Sequence, residues 1–475
     1  MWNNLPVILP APNAHDWYLV ACVAGTVLLL LILVAWLRLH AALGLCVAAI
    51  GLGVASGMPL KQVPASFAGG VGNMMGHIAI ILAMGALLGQ LLACSGGGAA
   101  LGKVLVEGCG PKGMPWAMLA LGLLVGMPVF FEVGLVLLMP IIVEAAERSR
   151  RPAILVGLPV MAGLSAMHGL VPPHPAAMLA ATVFHADVGR TILWGLVVGA
   201  PAAALAGPVL EWFLMRRWER RHGELAELPA IGGAAVEALE GERGAGMPPR
   251  PAGSVQALAI ILLPVALIFL GSWTDAVAAE GSLVNRVLHL AGSPDIAMVI
   301  AGLTALAVLG GHIQTGREHG AERLRRLTAD AFVPIAGVLV ILSAAGGLSG
   351  VLRDSGAAQA TVGLAMGAHL PPLVLAWAMA AVVRVCMGSA TVAMAVTSGV
   401  LAPLAGHMGV NPEMLVMATG CGSLVLSHVN DSGFWLVSSL FKTDVKETLA
   451  SWSVLETVLS LGGLGVTLVV AGLIR

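Results

Sequence analysis

Charge is what this sequence has least of. Lys, Arg, Asp and Glu make up 10% of its 475 residues, against about 25% in an ordinary soluble protein. With 58% hydrophobic residues and a mean hydropathy of +0.94, most of the chain cannot face water, which excludes a soluble globular protein. Strict alternation of apolar and polar residues is missing too; the apolar runs are continuous, which excludes a transmembrane β-barrel. The class that remains is an all-α polytopic membrane protein with the lipid bilayer as its medium. Neither sign of charge is in surplus, the net being −1, so no nucleic-acid partner is expected. Cys22, Cys46, Cys94, Cys109, Cys386 and Cys421 lack ligand-like spacing and read as small core residues rather than disulfides or a metal site. No basic segment precedes the first apolar run, which begins near Trp17 behind Asn3, Asn4 and Asp16; no cleavable signal peptide is expected.

What stands out against this background is His168-Gly-Leu-Val-Pro-Pro-His-Pro175. Between Ala153 and Phe184 its two histidines are the only ionisable side chains. Pro172 and Pro173 cannot donate backbone hydrogen bonds, and their rings clash with a continuing helix. A helix long enough to cross a bilayer is therefore broken in its middle, beside polar groups. Irregular backbone at that depth survives only where protein or a water-filled cavity covers it, which is how a transporter forms a substrate site.

Read in order, the chain predicts an N-terminal transmembrane helix within residues 1–40 (about Trp17–Leu37) and a second helix over Ala41–Gly57. A Gly-rich piece, Phe67–Asn73, precedes a helix over Ile78–Cys94. The run 116–143 holds one charge, Glu132, and 153–184 is the broken helix; a helix follows over Thr191–Met215. Region 216–253 reads as a charged cytoplasmic linker dividing the chain into 41–215 and 254–475. The second part opens with two connecting helices (Ser254–Trp273, Asp295–His312) and a basic loop, Arg317–Arg326. Apolar segments over Ala331–Gly350, 371–404, 414–440 and Trp452–Ile474 complete it. Arg-rich loops stay in the cytoplasm, which puts 147–151, 216–250 and 316–326 on one side. Counting outward from them makes 116–143 and 371–404 re-entrant hairpins, for about ten spans and two hairpins, or about 12–14 spans by simple hydropathy.

The two parts also align with each other. Ser95, Met127 and His168 find counterparts at Ser355, Met387 and His428, each 260 residues on. Arg148, Arg150 and Arg151 correspond to Gly406–Val410, which has no Lys or Arg, whereas Lys442 and Lys446 fall near the counterpart of His185–Arg190. Matching sequence with opposite charge bias predicts two inverted-topology repeats, each with a hairpin and a broken helix. Such repeats place the substrate site at their pseudo-two-fold axis near the midplane.

The chemistry-bearing residues then fall into four pieces. The first repeat supplies Glu132, and His168 with Pro172-Pro173-His174; the second supplies Arg384 with Gly388-Ser-Ala-Thr391, and Ser427-His-Val-Asn-Asp-Ser432. A charge at a helix centre costs roughly 2.5–3.5 kcal/mol on insertion scales, so Glu132, Arg384 and Asp431 require partners. Arg384 is either an ion-pair partner of Asp431 or Glu132, or the group that captures an anionic substrate through its fork of donors. Glu132 is the leading proton-carrier candidate, because an apolar hairpin disfavours a bare carboxylate; Asp431 is the second. His168, His174 and His428 read as proton relays or donors to substrate hydroxyls. Ser389, Thr391, Asn430 and Ser432 lie at unwound backbone, suited to hydroxyls or a cation, although capping is an equal reading for each. With Pro173 these make the candidate substrate contacts. The six-residue step from His168 to His174 across two prolines does not set metal ligands on one helical face, and no nucleophile-elbow pattern supports an intramembrane enzyme. No metal and no cofactor is expected.

These motifs, together with Phe130-Phe-Glu-Val-Gly-Leu-Val-Leu-Leu-Met-Pro140, Gly388-Ser-Ala-Thr-Val-Ala-Met394 and Ser427-His-Val-Asn-Asp-Ser-Gly-Phe-Trp435, resemble the gluconate permease family of the ion transporter superfamily over nearly the whole chain. The resemblance implies proton-coupled uptake of gluconate or a related sugar acid across a bacterial inner membrane. It also implies a homodimer whose transport domain moves as an elevator. Ala176-Ala177 stands where the family usually has Gly-Pro after His-Pro. The same family holds carriers of D-serine and other hydroxy acids, and superfamily relatives carry dicarboxylates with sodium, so those substrates and Na+ remain alternatives.

Overall fold

A computed structural model describes residues 13–107, 109–110, 113–222, 251–313, 320–357, 360, 371–406, 409–429 and 431–474. Every regular element among them is a helix. The first part contains α1 (Ala14–Leu31), α2 (Ala41–Ala55), α3 (Gln62–Cys94), α4 (Gly97–Glu107), α5 (Met114–Gly126) and α6 (Phe131–Ser149). It continues with α7 (Ala153–Leu170), α8 (Pro175–Val183), α9 (Val188–Ala204) and α10 (Leu210–His222). The second part contains α11 (Ser254–Ser272), α12 (Leu283–Gly292), α13 (Pro294–Ile313), α14 (Gly320–Asp354) and α15 (Pro372–Met387). It ends with α16 (Ala390–Ala405), α17 (Pro412–Leu424), α18 (Ser432–Phe441) and α19 (Val454–Leu473).

Four breaks fall inside the segments that the sequence singles out. Residues 127–130 separate α5 from α6, 171–174 separate α7 from α8, 388–389 separate α15 from α16, and 425–431 separate α17 from α18. Moving α5, α6 and α7 forward by 260 residues lands each on α15, α16 and α17 to within a few residues. The same step carries α3 onto α14, and these two long helices pack along each other.

Several boundaries differ from the sequence reading. The Gly-rich piece 67–73 does not interrupt the chain but lies within α3, which spans 33 residues and bends by 40° near Gly76. The glycines serve contact instead. A Cβ on Gly70 would lie 2.2 Å from the Gly346 carbonyl oxygen of α14, and one on Gly350 would lie 2.4 Å from the Ser66 carbonyl oxygen. Small residues of this kind let helix backbones approach inside a membrane. The basic loop 317–326 is helical from Gly320 onward, with Glu322 bonded to Arg325 at 2.7 Å. The start of the expected linker is helical as far as His222, and 223–250 lies outside the described residues. The short amphipathic α12 is an element the sequence reading omits, because ten residues are too few to span; its Leu283, Val284, Val287 and Leu290 are exposed. Six helices among the described residues are long and apolar enough to cross a membrane, or seven if bent α3 counts as one.

Two apolar cores organise the chain. The larger gathers α4–α7, α9, α17 and α19, and the smaller joins α1, α2 and the first half of α3 to α14 and α16. The broken helices α7 and α17 touch where the breaks begin. A Cβ on Gly420 would lie 2.5 Å from the Gly169 carbonyl oxygen, so only glycine allows that approach.

Candidate functional site

In the first part, the chain leaves α5 at Gly126 and restarts as α6 behind extended Phe130, which puts Glu132 in the first turn of α6. A carboxylate is favoured there by the helix dipole, and Glu132 is exposed. Across the second break Val171 is extended, the Pro172–Pro173 bond is cis, and Pro175 opens α8. A proline suits that first position because its absent N–H would have no helical partner. His174 is 3% exposed, and its Nε2 lies 2.5 Å from the Gly126 carbonyl oxygen. A carbonyl can only accept, so Nε2 carries the proton. His168, in the last turn of α7, meets the His174 ring edge-on with centroids 5.2 Å apart. Its Nε2 is 3.5 Å from Thr391 Oγ1, a contact between the two parts of the chain.

In the second part, α15 stops at Gly388, whose φ of +72° is the left-handed conformation that glycine adopts without strain. Arg384 lies in the last turn before it and is 3% exposed. Its Nη2 donates to Asp431 Oδ2 at 2.6 Å, so Asp431 rather than Glu132 is its ion-pair partner. Asp431 caps α18, accepting the Gly433 N–H on Oδ1 at 3.0 Å, while the Ser427 hydroxyl donates to Oδ2. Ser427 accepts the Trp452 indole N–H at 2.7 Å, and its carbonyl accepts the Ser453 hydroxyl. His428 Nε2 lies 3.0 Å from the Val385 carbonyl oxygen. Ser389 accepts the Val392 N–H at 3.3 Å, which is the capping reading of that residue. Ser432 is exposed at the start of α18, Pro173 is buried, and Asn430 lies outside the described residues.

The structure therefore gathers His168, His174, Arg384, Thr391 and Asp431 around the breaks, with Glu132 within electrostatic reach of both Arg384 and Asp431. It adds one group that the sequence reading passed over. Glu456, on α19, is 1% exposed and lies within electrostatic reach of Arg384 and Asp431, with the Ser165 side chain of α7 beside it. Its sequence signal is the one that marks Glu132: Glu456 is the single charged residue between Trp452 and Ile474.

Four buried side-chain atoms among the described residues have no hydrogen-bond partner, namely His168 Nδ1, Arg384 Nε, Thr397 Oγ1 and Glu456 Oε1. Three of them belong to this cluster. An unmet buried polar group costs about 1–3 kcal/mol, so a hydrogen-bonding partner at any of these atoms would be favoured. Nη2 of the guanidinium is held by Asp431, while Nε remains open to an acceptor. No group of three or more His, Cys, Asp or Glu is placed to hold a metal ion among the described residues.

The family model for GntP family permeases matches residues 17–474. The chain belongs to that family. The permease is 39% identical to the gluconate permease of Pseudomonas aeruginosa, over 95% of this chain and 97% of that one. It is 34% identical to the high-affinity gluconate transporter of Escherichia coli, over 94% and 97%. The Gnt-II system L-idonate transporter of the same organism is also 34% identical, over 93% and 96%. Among solved structures, the YdaH transporter of Alcanivorax borkumensis superposes with a TM-score of 0.66 at 16% identity, covering 91% of this chain and 98% of that one. MtrF of Neisseria gonorrhoeae gives 0.61 at 14%, covering 87% and 84%. At those identities the likeness is one of fold. The permease is thus an all-helical integral membrane protein of a transporter fold.

Proposed function

We propose that this permease is a secondary active transporter that takes up gluconate, or a closely related sugar acid, together with protons. The observation that carries the reading is the Arg384 guanidinium: buried, tied to Asp431 through Nη2, and open at Nε where the helix breaks meet. One unspent donor on one cation suits one carboxylate. His168 and Thr391 supply neighbouring polar groups for hydroxyls. The names of the relatives, gluconate and L-idonate carriers, support a hydroxylated monocarboxylate. His168, Pro173, His174, Arg384, Ser389, Thr391, His428, Asn430, Asp431 and Ser432 are proposed to form or frame the substrate site, with Glu132 and Asp431 on the proton's path. Placement in the bacterial inner membrane, inverted repeats, a homodimer and elevator-like movement belong to the same proposal, supported by the family and the shared fold.

The test is uptake of labelled gluconate into proteoliposomes holding the purified permease. Accumulation driven by an inward proton gradient, and abolished by an uncoupler, is the expected result. Accumulation that survives the uncoupler and follows a sodium gradient overturns proton coupling. A thermal-shift series over gluconate, L-idonate and D-serine identifies the substrate, since a ligand stabilises the folded state by mass action.

A further inference from the structure

Three carboxyls surround Arg384, and their surroundings differ. Asp431 is fully engaged: Arg384 and Ser427 donate to one oxygen and the Gly433 N–H to the other. It is the anchor that orients the guanidinium and caps α18. Glu132 is exposed in the first turn of α6, which suits it to pass a proton along the path from water rather than to hold one through the cycle. Glu456 is the reverse of both. It lies 1% exposed on α19, with Oε1 lacking any donor, and its nearest cation is already committed to Asp431.

The groups facing Glu456 are few. From α7 comes Ser165, with His168 one turn further on; from α15 comes Arg384; from the cap of α18 comes Asp431. On α17, Cys421 packs against Gly463, two turns further along α19. α9 and the helical turn 449–453 also pack on α19; the titratable residue of α9 is Arg190, in its exposed first turn. A bare carboxylate with an undonated oxygen is costly in such a place, whereas a carboxylic acid is not. Arg384 links this carboxyl to the substrate: it is the cation that acts on Glu456 among the described residues, and its open Nε is where a substrate carboxylate would bind.

We propose that Glu456 is the carboxyl that carries the co-transported proton, with Arg384 coupling its ionisation to occupancy by the substrate carboxylate. The inference rests on the proton-coupled reading above. An anion on Arg384 draws the guanidinium's charge away from Glu456 and favours its protonated form, so substrate and proton load together. When substrate leaves, Arg384 again faces an electron-rich carboxyl and the proton departs.

The experiment compares wild type with Glu456→Gln in proteoliposomes carrying a lumenal pH dye, using labelled gluconate. Wild type is expected to acidify the lumen on gluconate addition and to accumulate it against its gradient. Glu456→Gln is expected to lose accumulation and acidification at least tenfold while keeping counterflow, which requires substrate exchange without net proton movement. A Glu456→Gln protein that still accumulates gluconate with proton influx overturns the proposal. So does a folded one that loses counterflow along with accumulation, because that marks a substrate-holding role. Ser165→Ala provides a second reading if the first variant is not produced: a displaced pH profile of uptake with counterflow intact is expected, and an unchanged profile overturns the proposal. Should wild type itself move no protons with gluconate, the proton-coupled reading fails, which is a different result from coupling that survives Glu456→Gln.

Discussion

Trp452 and Asp431 meet through a single hydroxyl. The indole N–H donates to Ser427 Oγ at 2.7 Å, and the same hydroxyl donates to the Asp431 carboxylate. Three elements, the helical turn 449–453, the cap of α18 and the break before it, thereby set the position of the partner of Arg384. Ser427→Ala removes both bonds at once. It is expected to lower stability by about 1–3 kcal/mol, and Trp452→Phe by less, both read as the thermal unfolding midpoint of the detergent-purified protein. An unshifted midpoint in Ser427→Ala would show that the network contributes nothing.

Arg384 separates its structural from its substrate role by choice of substitution. Arg384→Ala leaves Asp431 buried without its cation, a loss of about 3–5 kcal/mol where one partner of a buried pair is removed, and uptake should vanish with it. Arg384→Lys keeps the charge and gives up the planar fork. Its expected effect is gluconate binding weakened roughly tenfold, about 1.4 kcal/mol, in a protein that still folds, measured by titration calorimetry. Equal affinity in the lysine variant would remove the fork from substrate recognition.

Gly420 stands too near the Gly169 carbonyl for any side chain. Gly420→Ala is expected to force α7 and α17 apart, at about 1–3 kcal/mol of overpacking, and to depress transport more than expression. Gly337→Ala, within α14, is the control, because a Cβ there meets nothing within 4 Å. Comparable loss in both variants would point to a general effect of losing glycine.

One acid response lies away from the apolar core. Hydrogen bonds from His289 and Asn285 hold the Asp275 carboxyl below its usual range. A depressed carboxyl contributes stability above its unfolded value and loses it as pH falls through the folded value. The thermal midpoints of wild type and Asp275→Asn should therefore differ slightly at neutral pH and converge in acid. A difference that grows with acidification would reverse the assignment.

The breaks were legible because proline and glycine interrupt apolar runs in a way that few other residues do. Pro172-Pro173 and Gly388 mark two of them outright. The candidate site was legible to the extent that ionisable residues are rare, which isolated Glu132, Arg384 and Asp431. Partner choice was not, because Arg384 has acidic residues on three different helices to choose from, and only packing decides for Asp431. Glu456 escaped notice since it sits on a helix with no break, away from the motifs. The glycines of α3 misled for a physical reason: in water they weaken a helix, but between membrane helices they are contact surface.

Two histidines make comparable bonds in the two halves. His174, from the break after α7, is tied to the carbonyl of Gly126, the last residue of α5. His428, from the break after α17, is tied to the carbonyl of Val385 near the end of α15. Each half thus has its own latch, joining the end of one helix to the unwound stretch of another. On the elevator-like movement proposed above, these latches would make each unwound stretch shift together with the helix end it is tied to, so that a substrate held between them travels with both.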